Sequence, residues 1–171
     1  MKKKNKKKGV LFWITGFSGA GKTSIANRIK KDITKEFGPT IVINGDDLRK
    51  IFNLNKYDQT SRLEYGKQYC RLVKFVTDQN INLIFTVIGM YDELRAWNNK
   101  NIVNYLEIYI KTSISKIKKK RSKKLYLKKN TQIVGVKIKP QLPKRPHITI
   151  NNDFKKSIKE MSNFLVKKII K

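Results

Sequence analysis

The chain has few of the residues that build disulfides, zinc sites or membrane spans. Its one cysteine is Cys70 and its one histidine is His147, which excludes an internal disulfide framework and a His/Cys zinc cluster. We expect Cys70 to be a small buried hydrophobe and His147 to be structural. No apolar run approaches the roughly 18 residues that a membrane helix needs, and residues 10–14 are too short for a signal-peptide core. The sequence therefore predicts a cytoplasmic protein with no membrane partner.

Acidic residues are also scarce. Twelve Asp and Glu stand against 40 Lys and Arg, a net charge of +28, which is typical of nucleic-acid-binding proteins. However, the excess is mainly lysine, whereas specific base and phosphate contacts favour the rigid guanidinium of arginine. We therefore predict a solvated basic surface that attracts small anionic substrates. A basic nucleic-acid-binding ATPase is the alternative from another class.

The length of 171 residues, 39% of them hydrophobic, suits one globular domain. We expect a basic tail at residues 1–8 and a single domain at residues 9–171. Residues 112–147 are rich in lysine and contain three of the four prolines, which predicts a helix followed by a long basic loop. Loops of that length are usually functional, so we predict a lid at about residues 120–147.

Apolar runs alternate with amphipathic stretches along the chain. The alternation predicts a three-layer α/β fold in which helices flank a parallel five-stranded sheet. The predicted strands are Val10–Thr15, Thr40–Asn44 and residues 81–88, 105–110 and 147–150. The predicted helices are Lys22 to about Phe37 and residues 46–53, 60–79 and 154–170.

A glycine-rich motif follows the first predicted strand. Residues 16–23 read GFSGAGKT and satisfy G-x-x-x-x-G-K-[ST] in full. Glycines let backbone N–H groups surround phosphate oxygens at the positive end of the next helix. We expect Lys22 to reach the β- and γ-phosphates of ATP and the Thr23 hydroxyl to bind Mg²⁺. Strand, loop and helix together predict a P-loop NTPase fold. The predicted ATP-binding residues are Gly16, Ser18, Gly19, Ala20, Gly21, Lys22, Thr23 and Ser24.

A second polar turn follows the second predicted strand, at the edge where open parallel sheets bind ligands. Residues 44–47 read NGDD. A carboxylate here could accept a proton from an acceptor group or hold a metal-bound water. It could equally cap the next helix, and the local sequence leaves both interpretations open. Arg49 and Arg62 are candidate clamps for an anionic substrate.

In these motifs the chain resembles the adenylylsulfate (APS) kinase family, from about Val10 to the end. The phosphate loop of that family is similar to residues 16–23, and its acidic turn is similar to residues 44–47. Its lid signature, Lys-Gly-Leu-Tyr, aligns with residues 123–126. The resemblance implies ATP and Mg²⁺ as cofactors, Asp46 as the catalytic base beside Lys22, and a homodimer as one assembly.

The resemblance also implies a set of acceptor-binding positions, and several of them depart from the family. Tyr65 and Lys67 stand where the family has Asn and Arg, residues 87–90 read VIGM in place of Phe-Ile-Ser-Pro, and Ile133 replaces a base-stacking Phe. Because the donor motif is intact, we expect transfer to an acceptor other than APS. The predicted acceptor-binding residues are Arg49, Tyr57, Arg62, Tyr65, Lys67, Ile88, Gly89, Met90, Arg95, Lys123 and Leu125.

Residues 90–97, MYDELRAW, look more like the branch of the family that acts in bacterial capsule assembly. That branch implies CDP-L-glutamine as the acceptor, phosphorylated on its amide nitrogen to give a phosphoramidate. A smaller pyrimidine also suits the lost stacking ring. The alternative within the family is APS, phosphorylated on its 3′-hydroxyl. Either acceptor is a small nucleotide-linked molecule.

Overall fold

The computed structural model describes residues 8–121 and 132–170. Within these residues, five parallel strands form one sheet in the order β2-β3-β1-β4-β5. The strands are β1 (Val10–Thr15), β2 (Thr40–Asn44), β3 (Asn82–Val87), β4 (Asn104–Lys111) and β5 (Ile148–Asn151). The helices are α1 (Lys22–Phe37), α2 (Gly45–Ile51), α3 (Gln59–Asp78), α4 (Asp92–Asn101), α5 (Ile114–Arg121) and α6 (Ile158–Ile170). The predicted three-layer α/β fold is confirmed.

The central strand β1 is apolar on both faces because helices cover both sides of the sheet. Phe12 and Ile14 are fully buried in a cluster with residues of α1 and α6. Leu11 and Trp13 are fully buried in a second cluster with residues of α3 and α4. The alternation follows the two-residue period of a strand. Each such side chain contributes about 1.5–3 kcal/mol through its burial.

The parallel sheet places the carboxyl ends of β1, β2 and β3 at one edge. The phosphate loop follows β1, the acidic turn follows β2, and residues 88–91 follow β3. Segments that are far apart in the sequence therefore meet at this edge, where open α/β sheets bind their ligands.

Two helices differ from the sequence prediction. Helix α4 was not among the predicted helices, because its ten residues are mostly polar and offer little periodicity beyond Leu94 and Trp97. The closing helix begins at Ile158 and not at residue 154, since Phe154 has a φ of 65°. Ser157 and Glu160 form a reciprocal cap at this start: Ser157 N donates to Glu160 Oε2 at 2.7 Å and Glu160 N donates to Ser157 Oγ at 3.2 Å.

Cys70 and His147, the one cysteine and the one histidine of the sequence, both have structural roles. Cys70 is buried as predicted, and burial raises the pKa of its thiol to about 12. His147 directly precedes β5, and its Nδ1 accepts a hydrogen bond of 2.9 Å from the backbone N–H of Glu107 in β4. None of the helices in the described residues combines the length and apolar character that a bilayer span requires.

Part of the predicted basic loop is packed into the protein. Ile133, Val134 and Ile138 are buried in a third apolar cluster with Phe17 of the phosphate loop and Met90. Residues 1–7 and 122–131 lie outside the described residues. The basic tail, the domain boundaries and the lid at about residues 120–147 therefore stay predictions.

Candidate active site

The phosphate loop joins β1 to α1. Gly21 is the N-cap of α1 with a φ of 95°, a left-handed conformation that glycine adopts without strain. The first turn of α1 contains no acidic residue, so the positive end of the helix dipole is available to an anion. Lys22 Nζ donates to the backbone oxygens of Gly16 and Phe17, at 2.9 Å each. The loop thus presents a helix N-terminus and an ammonium group to the same space.

A polar cleft lies against this loop. Asp46 and Ser24 are among its lining residues, as are the ends of β2 and β3. The full lining is Ser18, Gly19, Gly21, Lys22, Thr23, Ser24, Asn44, Asp46, Thr86, Val87 and Ile88. Of the predicted ATP-binding residues, Gly16 and Ala20 are not in this lining and support the loop through their backbones. We refer to this space as the phosphate cleft.

The two aspartates of the acidic turn have different surroundings. Thr86 Oγ1 donates to Asn44 Oδ1 at 2.7 Å, and Asn44 Nδ2 donates to Asp47 Oδ2 at 2.8 Å. Asn44 occupies the N-cap of α2, so Asp46 is not the helix cap that the sequence left open. Asp47 is held by Asn44, whereas Asp46 faces the phosphate cleft.

A second, less polar pocket adjoins the phosphate cleft, and Asp46, Val87 and Ile88 line both. We refer to it as the acceptor pocket. Its walls come from α2, α3, α4 and the segment after β3. The lining residues are Gly45, Asp46, Arg49, Arg62, Tyr65, Gly66, Tyr69, Val87, Ile88, Gly89, Tyr91, Leu94 and Val134.

Two arginines and two tyrosines stack at the mouth of the acceptor pocket. Arg49 Cζ lies 4.1 Å from the centroid of the Tyr57 ring and 5.2 Å from that of Tyr65, and Arg62 Cζ lies 5.3 Å from that of Tyr57. Arg62 Nε donates to Tyr57 O at 2.7 Å. Burial, and secondarily the charge of Arg49, lower the pKa of Arg62. Arg49 Nε is buried without a hydrogen-bond partner in the described part of the chain. The group concentrates positive charge that an anion would stabilise.

The family model described as adenylylsulphate kinase matches residues 8–151 of the chain. The chain belongs to the adenylylsulfate kinase family. Curated relatives in this family are named kinases, and the chain is an enzyme of that class. This confirms the resemblance inferred from the phosphate loop and the acidic turn.

Relatives within the family carry different substrate names. A protein of Campylobacter jejuni named cytidine diphosphoramidate kinase is 30% identical over 163 residues, covering 93% of this chain and 95% of the relative. A protein of Phocaeicola vulgatus named adenylyl-sulfate kinase is 27% identical over 170 residues, 95% of this chain and 83% of the relative. The structure of Mycobacterium tuberculosis APS kinase in complex with AMPPNP and APS superposes with a TM-score of 0.84 at 22% identity, covering 96% of this chain and 99% of that one. That likeness shows the shared fold.

The structure brings most of the predicted acceptor-binding residues together. Arg49, Arg62, Tyr65, Ile88 and Gly89 line the acceptor pocket. Tyr57, which is 53% exposed, stacks on Arg49 at its mouth. Lys123 and Leu125 lie outside the described residues.

Three predicted acceptor-binding residues are placed elsewhere. Lys67 Nζ pairs with Glu64 at 3.0 Å and with Glu93 at 3.1 Å. Met90 is 1% exposed and packs in the third apolar cluster. Arg95 is buried and donates to the backbone oxygens of Gly89 and Gln141. In this structure their side chains support neighbouring elements and do not line the pocket.

Sequence reasoning missed several residues of the site. Tyr69, Tyr91, Leu94 and Val134 line the acceptor pocket. Asn152, after β5, donates through Nδ2 to Ala20 O at 2.9 Å and so anchors the phosphate loop. Helical spacing could have found Tyr69, because it follows the predicted residue Tyr65 by one turn. Tyr91 and Leu94 lie within residues 90–97, the stretch that the sequence set apart, although neither was assigned to the pocket. Nothing local marked Val134 or Asn152, since they approach from distant segments.

Proposed function

We propose that this kinase uses ATP to phosphorylate a ribose hydroxyl of a small cytidine-diphosphate-linked acceptor, with cytidine diphosphoramidate favoured. The observation that carries the proposal is the position of Asp46, which lines both the phosphate cleft and the acceptor pocket. A base for phosphoryl transfer must reach the acceptor hydroxyl while the γ-phosphoryl lies in line with it. Asp46 is the acidic residue that meets this requirement among the described lining residues.

The donor half supplies positive charge to the triphosphate. Lys22 exchanges its contacts with Gly16 O and Phe17 O for the β- and γ-phosphate oxygens of ATP. Negative charge developing on the transferred group is then stabilised by Lys22 and by the N-terminus of α1. Asn152 keeps the loop in place through Ala20 O.

The residues of the phosphate cleft are compatible with Mg²⁺ bound to the phosphates of ATP. The described residues contain no cluster of three His, Cys, Asp or Glu side chains for a metal ion, and Mg²⁺ in such enzymes needs none. It is held by one or two protein oxygens, phosphate oxygens and water. We assign the Thr23 hydroxyl, which lines the cleft, as the protein ligand. When bound, the ion neutralises charge on the phosphates.

The acceptor half binds the diphosphate. Arg49 and Arg62 lie over the same Tyr57 ring, at 4.1 and 5.3 Å, and a diphosphate would relieve the repulsion between them. The adjoining tyrosine rings are suited to stack on a base. A pocket of this kind favours a nucleotide-linked acceptor.

The name of the C. jejuni relative bears on the identity of the nucleophile. In cytidine diphosphoramidate the P–N bond exists before the kinase acts. The sequence-based expectation of CDP-L-glutamine requires this kinase to form that bond at an amide nitrogen, whose lone pair is delocalised into the carbonyl. A carboxylate such as Asp46 is better matched to a hydroxyl, the group that the catalytic Asp of kinases engages. We therefore keep the cytidine nucleotide and propose a hydroxyl in place of the amide.

APS is the second candidate acceptor, because several relatives, including the P. vulgatus protein, are named adenylyl-sulfate kinase.

To test which acceptor is used, the protein is incubated with ATP and Mg²⁺ in three separate reactions, which contain cytidine diphosphoramidate, CDP-L-glutamine or APS. ³¹P NMR distinguishes a new phosphate monoester from a new P–N bond. We expect a monoester on cytidine diphosphoramidate. A P–N product from CDP-L-glutamine, or turnover of APS alone, would contradict the proposal.

A further inference from the structure

Tyr69 is a buried member of the acceptor pocket to which the family resemblance assigned no role. It lies on α3 one turn beyond Tyr65, and both residues line the pocket. Tyr69 is 5% exposed, and its ring packs edge-on against Phe85 with 5.8 Å between centroids. This packing against β3 holds the ring in one orientation.

The Tyr69 hydroxyl lies beside the start of α2. Its Oη is 3.5 Å from Gly45 O, which is long for an O–H···O hydrogen bond, usually about 2.7–2.8 Å. Within residues 8–121 and 132–170 this is the one hydrogen bond of that hydroxyl. A phenol can donate one hydrogen bond and also accept. The Tyr69 hydroxyl can therefore form a further hydrogen bond with a ligand. It lies beside Gly45, the residue that precedes Asp46.

The phenol stays neutral under ordinary conditions. Burial raises the pKa of Tyr69 above its usual value, and the nearby Arg49 only partly offsets this. Tyr69 is thus a hydrogen-bonding group that keeps its proton near neutral pH. It is not a second base.

We propose that Tyr69 is a specificity-determining residue that hydrogen-bonds the ribose hydroxyl adjacent to the one that is phosphorylated. The inference rests on the proposed function, in which Asp46 engages one ribose hydroxyl, taken here as the 3′-hydroxyl so that its neighbour is the 2′-hydroxyl. The other hydroxyl of the vicinal pair lies on the adjoining carbon, and Tyr69 Oη lies against Gly45, the neighbour of Asp46 in the chain. A 2′-deoxy acceptor would leave the phenol with only its long contact to Gly45 O. The kinase would therefore prefer ribonucleotide to 2′-deoxyribonucleotide acceptors.

The experiment measures kcat/KM for a ribonucleotide acceptor and its 2′-deoxy analogue, using cytidine diphosphoramidate or APS, whichever the wild-type enzyme phosphorylates. We expect the wild type to prefer the ribonucleotide by roughly tenfold and Tyr69→Phe to reduce that preference to under twofold, as expected for the loss of one hydrogen bond. Tyr69→Phe should lower kcat/KM for the ribonucleotide acceptor and leave kcat/KM for the 2′-deoxy analogue unchanged. Tyr105→Phe is the matched control, since it removes a buried phenol hydroxyl that lies outside the pocket, and it should keep the wild-type ratio.

The outcomes separate this inference from the proposed function. If the wild-type enzyme does not discriminate between the two sugars, or if Tyr69→Phe slows both acceptors equally, the inference is overturned, whereas the proposed function stands as long as cytidine diphosphoramidate is the acceptor phosphorylated. If neither ribonucleotide is phosphorylated, both are overturned. AMPPNP binding by calorimetry, expected to be equal in wild type and Tyr69→Phe, shows that the variant is folded.

Discussion

Arg95 Nη2 donates a hydrogen bond of 2.7 Å to Gln141 O, which joins helix α4 to the segment that follows residues 122–131. The same guanidinium contacts Gly89 O at 3.4 Å, and Gly89 lines the acceptor pocket. Gln141 completes the link, because its backbone N–H donates to Met90 O at 3.0 Å. Arg95 therefore positions the pocket wall without touching the pocket.

Replacing Arg95 should affect stability and acceptor binding together. Arg95 Nε lies 3.4 Å from Glu107 Oε1, and both side chains are buried. Arg95→Met leaves the Glu107 carboxylate without its partner, which typically costs about 3–5 kcal/mol of unfolding free energy. We also expect the KM for the acceptor to rise more than the KM for ATP. Urea unfolding and steady-state kinetics measure the two effects.

The double variant Arg95→Met/Glu107→Gln is the control for that result. It removes the buried charge, so it should recover part of the lost stability but not the acceptor KM. An unchanged acceptor KM in Arg95→Met would show that Arg95 is only structural.

Asp46 should be the aspartate that matters for turnover. Asp46→Asn removes the proposed base and should lower kcat by about 10²–10⁴-fold, the usual contribution of general base catalysis. The KM for ATP should change less than twofold. Asp47→Asn is the matched control, because Asp47 is bound by Asn44 at 2.8 Å, and it should lower kcat less than tenfold. Equal losses in the two variants would mean that the acidic turn acts as a whole.

Arg49 should bind the acceptor through its flat guanidinium. Arg49→Lys keeps the charge but loses the stacking on Tyr57 and the forked contact with phosphate. We expect the KM for the acceptor to rise roughly tenfold at an unchanged KM for ATP, in keeping with the loss of about 1–2 kcal/mol. Lys50→Ala removes an exposed charge from the same helix and should be silent. A similar effect in both variants would point to general electrostatic attraction.

The helix cap at Asp58 should make stability depend on pH. Ser61 N donates to Asp58 Oδ1 at 2.9 Å, and this bond holds the pKa of Asp58 below its ordinary value. Because the native pKa is lower than the unfolded one, the carboxylate stabilises the fold above about pH 4, and the contribution is lost as pH falls through the native pKa. Asp58→Asn keeps a capping side chain that does not titrate.

Urea midpoints measured from pH 6 to pH 3 test this assignment. The difference in urea midpoint between wild type and Asp58→Asn should narrow or reverse as the pH falls, because only the wild type loses the charge at position 58. The other carboxylates are common to both proteins and cancel in the comparison. Parallel curves would show that the cap contributes nothing through its charge.

The donor half of the site could be predicted from sequence because it is local. Eight consecutive residues, 16–23, carry the phosphate loop, and a buried strand and a helix flank them. The acceptor pocket is assembled from segments that are distant in the sequence, so its shape depends on packing. Gly89 shows the difference: its φ of 46° turns the chain, and Met90 then packs against Phe17 and Ile133 in the third cluster.

Lys67 and Arg95 were predicted to line the pocket, but in the structure they bind other partners. Lys67 has two carboxylates within reach. Arg95 pairs with the carboxylates of Asp92 and Glu107 and donates to two backbone carbonyls. A pattern of residue types predicts the charge of such side chains but not which neighbour they bind. Tyr69, by contrast, lines the pocket but was not predicted to, although its helical spacing from Tyr65 was visible in the sequence.

We propose that the donor motif of the adenylylsulfate kinase family here serves a cytidine-diphosphate-linked acceptor. The most direct measurement is a competition assay in which equal concentrations of cytidine diphosphoramidate and APS share one vessel with the protein, Mg²⁺ and limiting ATP. The ratio of the two products gives the ratio of kcat/KM values. We predict that phosphorylated cytidine diphosphoramidate exceeds phosphorylated APS by at least tenfold. An excess of phosphorylated APS would contradict the proposed cytidine-diphosphate-linked acceptor.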